Sequence, residues 1–284
     1  MTSSSDSRAS ERWRGLVSAR LEEMSRLSPE AGCVSGSFWD GRAERYAQHA
    51  RLADARADPL LRRLRRVTDE SSTVIDVGAG TGRHALALAA GVGHVTAVDP
   101  SAAMLALLRR QAQQLGVSNV STIQASWGDA DVAPADVAFS SFVATLVADV
   151  APFFAKLDAV AGRRVVLYLG AYAADALLDP LWRHFHGVPR APGPTYLDAL
   201  GVLRELGIEP SVKVVEIANS RRFATIDEAV EHYREWMFLA DTADVRRELE
   251  ALLPAWLFGR AGALRSPLRS VPAAIIEWAP GRDA

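Results

Sequence analysis

Three glycines and two aspartates hold the clearest chemistry in the chain. In Thr73-Val-Ile-Asp-Val-Gly-Ala-Gly-Thr-Gly-Arg-His84 a β-branched run leads directly into Gly78, Gly80 and Gly82, and then into a helical stretch. Glycines let the backbone turn tightly and let a ligand approach with no Cβ in the way. Asp99 ends the next strand about 20 residues beyond the first glycine, where a carboxylate can accept both hydroxyls of an adenosine ribose. Turn and acid together imply an adenosine-containing ligand. Two further residues separate the candidates. A dinucleotide site wants a small residue three places after its second glycine, for close helix–strand packing, and Arg83 stands there instead. Asp76, two residues before the first glycine, would face the middle of the ligand, where it repels a diphosphate and attracts an ammonium or sulfonium.

The sign of that charge favours S-adenosylmethionine over NAD. The elements that must position these groups follow from the texture of the chain. From Ser72 onward short β-branched runs alternate with alanine- and leucine-rich helical stretches, the pattern of a parallel sheet covered by helices on both faces. Strands are predicted at Thr73 to Val77, His94 to Val98, Val120 to Gln124, Val137 to Ser140 and Arg164 to Leu169, with helices at Arg83 to Ala90, Ala102 to Leu115 and Ala151 to Val160. Beyond them Ala174 to Phe185, Tyr196 to Leu206, Ile226 to Leu239 and Ala243 to Leu253 read as helices, and Val212 to Ile217 and Ala273 to Trp278 as strands. Upstream, helical spacing over Glu11 to Leu27, Phe38 to His49 and Pro59 to Val67 makes residues 1–70 a polar, disordered start (Thr2 to Ser10) followed by a helical cap. Residues 71–284 form the second unit, with helical insertions at about 171–210 and 224–256.

Val74-Ile-Asp-Val-Gly-Ala-Gly-Thr-Gly-Arg83 with Val98-Asp-Pro-Ser101 resembles motif I and the following acidic strand end of class I S-adenosylmethionine-dependent methyltransferases. Phe38-Trp-Asp40, Ser126-Trp127, Arg222-Phe223 and the closing strand resemble the small-molecule members of the type 11 and 12 groups. The resemblance implies an α/β, Rossmann-like fold with a seven-stranded, mostly parallel sheet. It implies that Gly78, Ala79, Gly80 and Gly82 hold the methionine part of the cofactor, Asp76 its ammonium and Asp99 the ribose. Pro100, Ser101 and Met104 would line the adenine side, together with Ser126 and Trp127, although Ser126 stands where the family often places an acid. Ser141 and Phe142, after the fourth strand, would lie beneath the sulfonium.

Bland readings stand beside several of these. Asp76 and Asp99 could cap backbone amides, Trp127 could be rim packing, and Met104 shares its helix with Leu105, Leu107 and Leu108 as a core residue would. For catalysis the candidates are His184 and His186, placed after the fifth strand where substrate loops of this fold lie, and Tyr46, which resembles a lid residue. A spacing of two keeps the histidines off a common helical face, so at most one would enter a pocket. His84, at a helix start, reads as a capping or supporting residue.

Other classes are set aside by what the chain lacks. A formal charge of -2 offers no broad basic surface, so no nucleic-acid partner is expected. The single cysteine, Cys33, allows no internal disulfide or cysteine cluster, and no metal-ligating helix pattern is present, so no metal is expected and a cytoplasmic location fits. No run of roughly 18 apolar residues predicts a membrane span, and Met1 to Ser10 does not read as a signal peptide. There is no Asn/Asp-Pro-Pro-Tyr/Phe element, and Cys33 does not follow a proline after a strand, so a small-molecule acceptor remains for transfer to O, N or C. A non-catalytic S-adenosylmethionine-binding protein and a nicotinamide oxidoreductase are the rival readings; oligomeric state is left open, a homodimer included.

Overall fold

The computed structural model describes residues 8–27, 36–49, 58–171, 179–219, 222–260, 262–266 and 269–281. Cys33, the first seven residues and the 174–178 start of one predicted helix lie outside them. Seven strands form one sheet in the order β3-β2-β1-β4-β5-β7-β6. They are β1 (Thr73–Val77), β2 (His94–Asp99), β3 (Val120–Gln124), β4 (Ala135–Ser141), β5 (Ala161–Gly170), β6 (Ser211–Ala218) and β7 (Ser270–Trp278). The β1–β2, β2–β3, β1–β4 and β4–β5 pairs are parallel; β7 runs antiparallel to both of its neighbours. β1 therefore sits between β2 and β4, where the strand order reverses and the crevice at the carboxyl ends of an α/β sheet opens.

The central strands are apolar in succession because both faces are covered. On one face Ile75, Val77, Val165 and Leu167 pack with α1 (Ala9–Leu27), α7 (Val150–Val160) and α9 (Tyr196–Glu205). On the other, Val74, Val137 and Val166 pack with α4 (Pro59–Val67), α5 (Arg83–Ala89) and α6 (Ala102–Leu115). The N-terminal helices are thus shared out: α1 and α4 complete the two core layers, while α2 (Gly36–Asp40) and α3 (Ala43–His49) lie against α6. The single helix predicted over Phe38 to His49 is broken at Gly41 and Arg42. The carboxylate of Asp40 accepts the Ser101 hydroxyl at 2.6 Å and the Ala103 N–H at 3.0 Å, which pins the end of α2 to the start of α6.

α8 (Asp179–His186), α10 (Ile226–Trp236) and α11 (Ala243–Trp256) build a separate packet. Its centre is Leu181, Trp182, Val230, Tyr233, Leu249 and Leu253. Among the described residues no helix is long and apolar enough to cross a membrane.

Candidate functional site: a cavity at the carboxyl ends of β1, β2 and β4

A cavity of about 670 Å³ opens at the strand-order reversal, within the range of small-molecule sites. β1 and the turn after it bring Val77, Gly78 and Gly80 to its wall, the end of β2 and its exit bring Asp99 and Pro100, α6 brings Met104, the loop after β3 brings Ser126 and Trp127, and the end of β4 and its exit bring Ser141 and Phe142. Trp39 and Tyr46 reach it from α2 and α3.

The turn is braced from below. Gly78 and Ala79 donate their N–H groups to the Val98 carbonyl at 2.8 and 3.1 Å, and Gly80 donates to the Asp99 carboxylate at 2.8 Å. The other Asp99 oxygen accepts from Ser101 N–H at 2.9 Å. Both oxygens keep lone pairs, since a carboxylate accepts about four hydrogen bonds, so Asp99 can brace the turn and still take ribose hydroxyls. Burial, outweighing its two backbone donors, raises the Asp99 pKa above the ordinary carboxylate value. Gly80 (φ +54) and Gly82 (φ +85) are both left-handed for different reasons. A Cβ on Gly80 would meet nothing nearer than the Tyr46 ring at 3.9 Å, whereas one on Gly82 would press to 2.7 Å from Leu108 of α6. Gly80 keeps room for a ligand and Gly82 keeps room for a helix; Ala79 and Gly82 are not on the cavity wall.

Asp76 lies behind the turn. It is 2 % exposed and off the cavity wall, on the α5 face of the sheet, where it accepts the Ala85 N–H near the start of that helix. A carboxylate is favoured there by the helix's unpaired amides. Burial and the neighbouring Asp99 nevertheless push its pKa up to about 8, and its Oδ2 has no hydrogen-bond partner. Any effect on a cationic ligand is exerted from behind the turn. Ser101 is likewise withdrawn: fully buried, it caps α6 by accepting the Met104 N–H at 3.1 Å.

The histidines lie elsewhere. His184 and His186 do not line the cavity. His184 Nε2 lies 2.7 Å from Glu248 of α11, and His186 Nε2 lies 2.9 Å from the Met237 carbonyl with its ring 4.3 Å from that of Trp182. α8 buries Leu181 and Trp182 in the helical packet, which turns its polar edge toward α10 and α11 rather than the sheet. His84 supports the turn: its Nε2 is 3.3 Å from Asp58, which also receives Arg83 at 3.0 Å and caps α4 through the Leu60 N–H.

Tyr46 does reach the cavity wall, and 44 % of its surface is exposed to solvent. Desolvation is the main reason its hydroxyl pKa is raised, with Asp99 and Asp76 adding to the effect and Arg83 opposing it. At neutral pH it is a hydrogen-bond donor, not a base. Phe142 sits at φ +60, an unfavourable conformation for a bulky residue, held by its N–H to the Tyr168 carbonyl at 2.8 Å and by ring contact with Tyr168 at 5.0 Å. Val143, Leu146 and Val147 continue this wall, and Trp13 of α1 fixes it by donating its indole N–H to the Val147 carbonyl at 2.8 Å. Sequence spacing does not reveal Trp13 or the Asp40 anchor, because each acts across elements far apart in the chain.

Residues 74–161 match the family model of a methyltransferase domain. An uncharacterized protein of Haemophilus influenzae is 33% identical over 189 residues, which span 63% of this chain and 66% of that protein. Among solved structures, the YcgJ protein of Bacillus subtilis is similar with a TM-score of 0.54 at 16% identity, over 78% of this chain and 98% of its own. A geranyl diphosphate methyltransferase solved in complex with S-adenosylmethionine is similar with a TM-score of 0.50 at 16% identity, over 86% of this chain and 90% of its own. Both structural likenesses concern the fold.

Proposed function

Given that the chain carries a class I, S-adenosylmethionine-dependent methyltransferase domain, we propose that it transfers the methyl group of that cofactor to a small-molecule acceptor at the 670 Å³ cavity. The observation that carries this reading is the open, left-handed turn at Gly80, held by the Asp99 carboxylate, which lines the same cavity. These residues fit the cofactor. Gly80 leaves room for its methionine part, Asp99 would accept its ribose hydroxyls, and Pro100, Met104, Ser126 and Trp127 would enclose its adenine. A bound diphosphate would meet the carboxyl group of Asp99 and, among the described cavity-wall residues, no cation apart from Lys156, whose ammonium is held by backbone carbonyls.

The cofactor supplies an electrophilic methyl on a positively charged sulfur, which becomes a neutral thioether when the acceptor displaces it. The protein's share is alignment, the largest lever on an in-line displacement between two bound reactants. Phe142 and Ser141 set the floor at the end of β4, and the protonated Tyr46 hydroxyl, from α3, can donate a hydrogen bond to the acceptor or to the cofactor. With the apolar wall of Val143, Leu146 and Val147 they hold the site in a surrounding that disfavours water.

Calorimetric titration with S-adenosylmethionine, S-adenosylhomocysteine and NAD tests the ligand class. Binding of both adenosyl ligands is expected, and binding of NAD alone overturns the reading. Methyl-labelled cofactor incubated with fractionated metabolite extracts then identifies the acceptor; label retained by protein or nucleic acid, and not by small molecules, would overturn the acceptor class.

A further inference from the structure

The chain holds 32 Lys and Arg residues, of which only Lys156 and Lys213 are lysines. Lys156 lies on α7 and lines the cavity. Its Nζ donates to three backbone carbonyls of the loop after β3: Trp127 at 2.7 Å, Gly128 at 3.1 Å and Ala130 at 2.6 Å. The same ammonium is 4.7 Å from the centre of the Trp127 ring. One turn earlier on α7, the Phe153 carbonyl accepts the Trp127 indole N–H at 3.1 Å. Trp127 is therefore tethered to one helix at both its backbone and its ring nitrogen, and only 6 % of it is exposed. The loop adds a turn of its own, in which the Ser126 hydroxyl meets the Asp129 carboxylate at 2.6 Å and Ala130 N–H bonds the Ser126 carbonyl at 2.9 Å.

Three carbonyls converging on one point need a compact cation with donors spread around it. An ammonium provides three such donors, whereas a guanidinium offers its donors in one plane as a fork suited to two acceptors side by side. That geometry accounts for a lysine at this place in a chain that otherwise uses arginine almost throughout.

We propose that Lys156 is a positioning residue for the adenosine end of the cofactor: its ammonium locks the loop after β3 so that Trp127 stands as a fixed wall of the cavity. This rests on the methyltransferase reading above. Lys156→Met keeps the length of the stem and removes all three donors, and Lys156→Arg keeps the charge but changes its shape. S-adenosylhomocysteine and adenosine are titrated calorimetrically into wild type, both variants, and Lys213→Met, whose lysine is exposed on β6. Lys156→Met is expected to weaken both ligands by a common factor of about tenfold or more, the scale of a lost charge-assisted hydrogen bond. Lys156→Arg should weaken them several-fold, and Lys213→Met should match wild type. In labelled-methyl assays the Lys156 variants should show a raised KM for the cofactor at unchanged kcat, the signature of lost uniform binding.

Wild-type affinity in Lys156→Met overturns the proposal, as does a loss confined to S-adenosylhomocysteine with adenosine unaffected. Lys156→Arg decides the matter if the methionine variant fails to fold: wild-type affinity there removes the three-carbonyl account. A wild type that binds neither ligand removes the methyltransferase reading itself, and the clamp with it.

Discussion

At the carboxyl ends of β1, β2 and β4 the backbone bends through left-handed conformations at Gly78, Gly80, Gly82 and Phe142, and the groups around it retain bonding capacity. Asp99 has used one lone pair of each oxygen, and Tyr46, its hydroxyl protonated, lines the same cavity. In the packet of α8, α10 and α11, by contrast, several polar side chains have found partners, the buried Trp182 indole N–H excepted. His184 meets Glu248, His186 meets the Met237 carbonyl and Trp182, and Arg246 bridges Glu231 at 2.8 Å. Both regions are rich in titratable residues, so residue type alone does not separate them. What does is a shared cavity: at the sheet end left-handed backbone and the unspent lone pairs of Asp99 border one space, whereas in the packet the left-handed Phe238 (φ +56) and the unpartnered Trp182 indole N–H are packed among the helices and off the cavity wall.

The most forceful way to break that comparison is to remove the carboxylate that both braces the turn and faces the cavity. Asp99→Ala is expected to weaken S-adenosylhomocysteine binding by about 1 to 3 kcal/mol, the scale of charge-assisted hydrogen bonds to the ribose, as read by calorimetry. Wild-type affinity in a folded variant would mean that Asp99 serves the turn alone. Next in size is the pH response of Asp76. Its folded pKa of about 8 lies above the unfolded carboxylate value, so the native state binds the extra proton between the two. Stability is therefore greatest below the unfolded value and is lost as pH rises toward 8. Asp76→Asn, which cannot ionise, should flatten this decline: thermal melts at pH 6 and pH 9 should differ by several degrees less than in wild type, at roughly 2–4 °C per kcal/mol for a domain of this size. Equal declines in both would show that Asp76 is ionised throughout.

How much of this was legible in the residues follows from the range of the forces involved. Strand β1, helix α6 and strand β3 have the predicted limits because an apolar run, a serine cap and a glycine stop are local signals. The glycine turn and Asp99 were equally readable, since spacing along two adjacent parallel strands fixes them relative to each other. The direction of Asp76 was not, because strand alternation allows either face and the deciding partner, the start of α5, is a packing outcome. The surroundings of His184 and His186 are hidden for the same reason: position after β5 says which end of the sheet a segment leaves, not that Leu181 and Trp182 carry it into another core. Lys156 left a compositional trace, a rare lysine among arginines, but the three carbonyls that explain it come together only in the fold.

The finer contrasts separate groups facing the cavity from groups facing the packet. Tyr46→Phe removes a donor with space before it and should lower turnover or cofactor affinity several-fold, consistent with about 0.5 to 1.5 kcal/mol for one neutral hydrogen bond. His184→Ala should leave cofactor affinity and turnover at wild-type values, because it is off the cavity wall and its partner is the half-exposed Glu248, an exposed contact of small energetic weight. His186→Ala should also leave both unchanged, but lower the melting temperature, since the ring loses its contact with the buried Trp182 and frees the Met237 carbonyl. A fall in turnover in either variant, with the melting temperature intact, would bring the packet back into the active site and erase the distinction between the two regions.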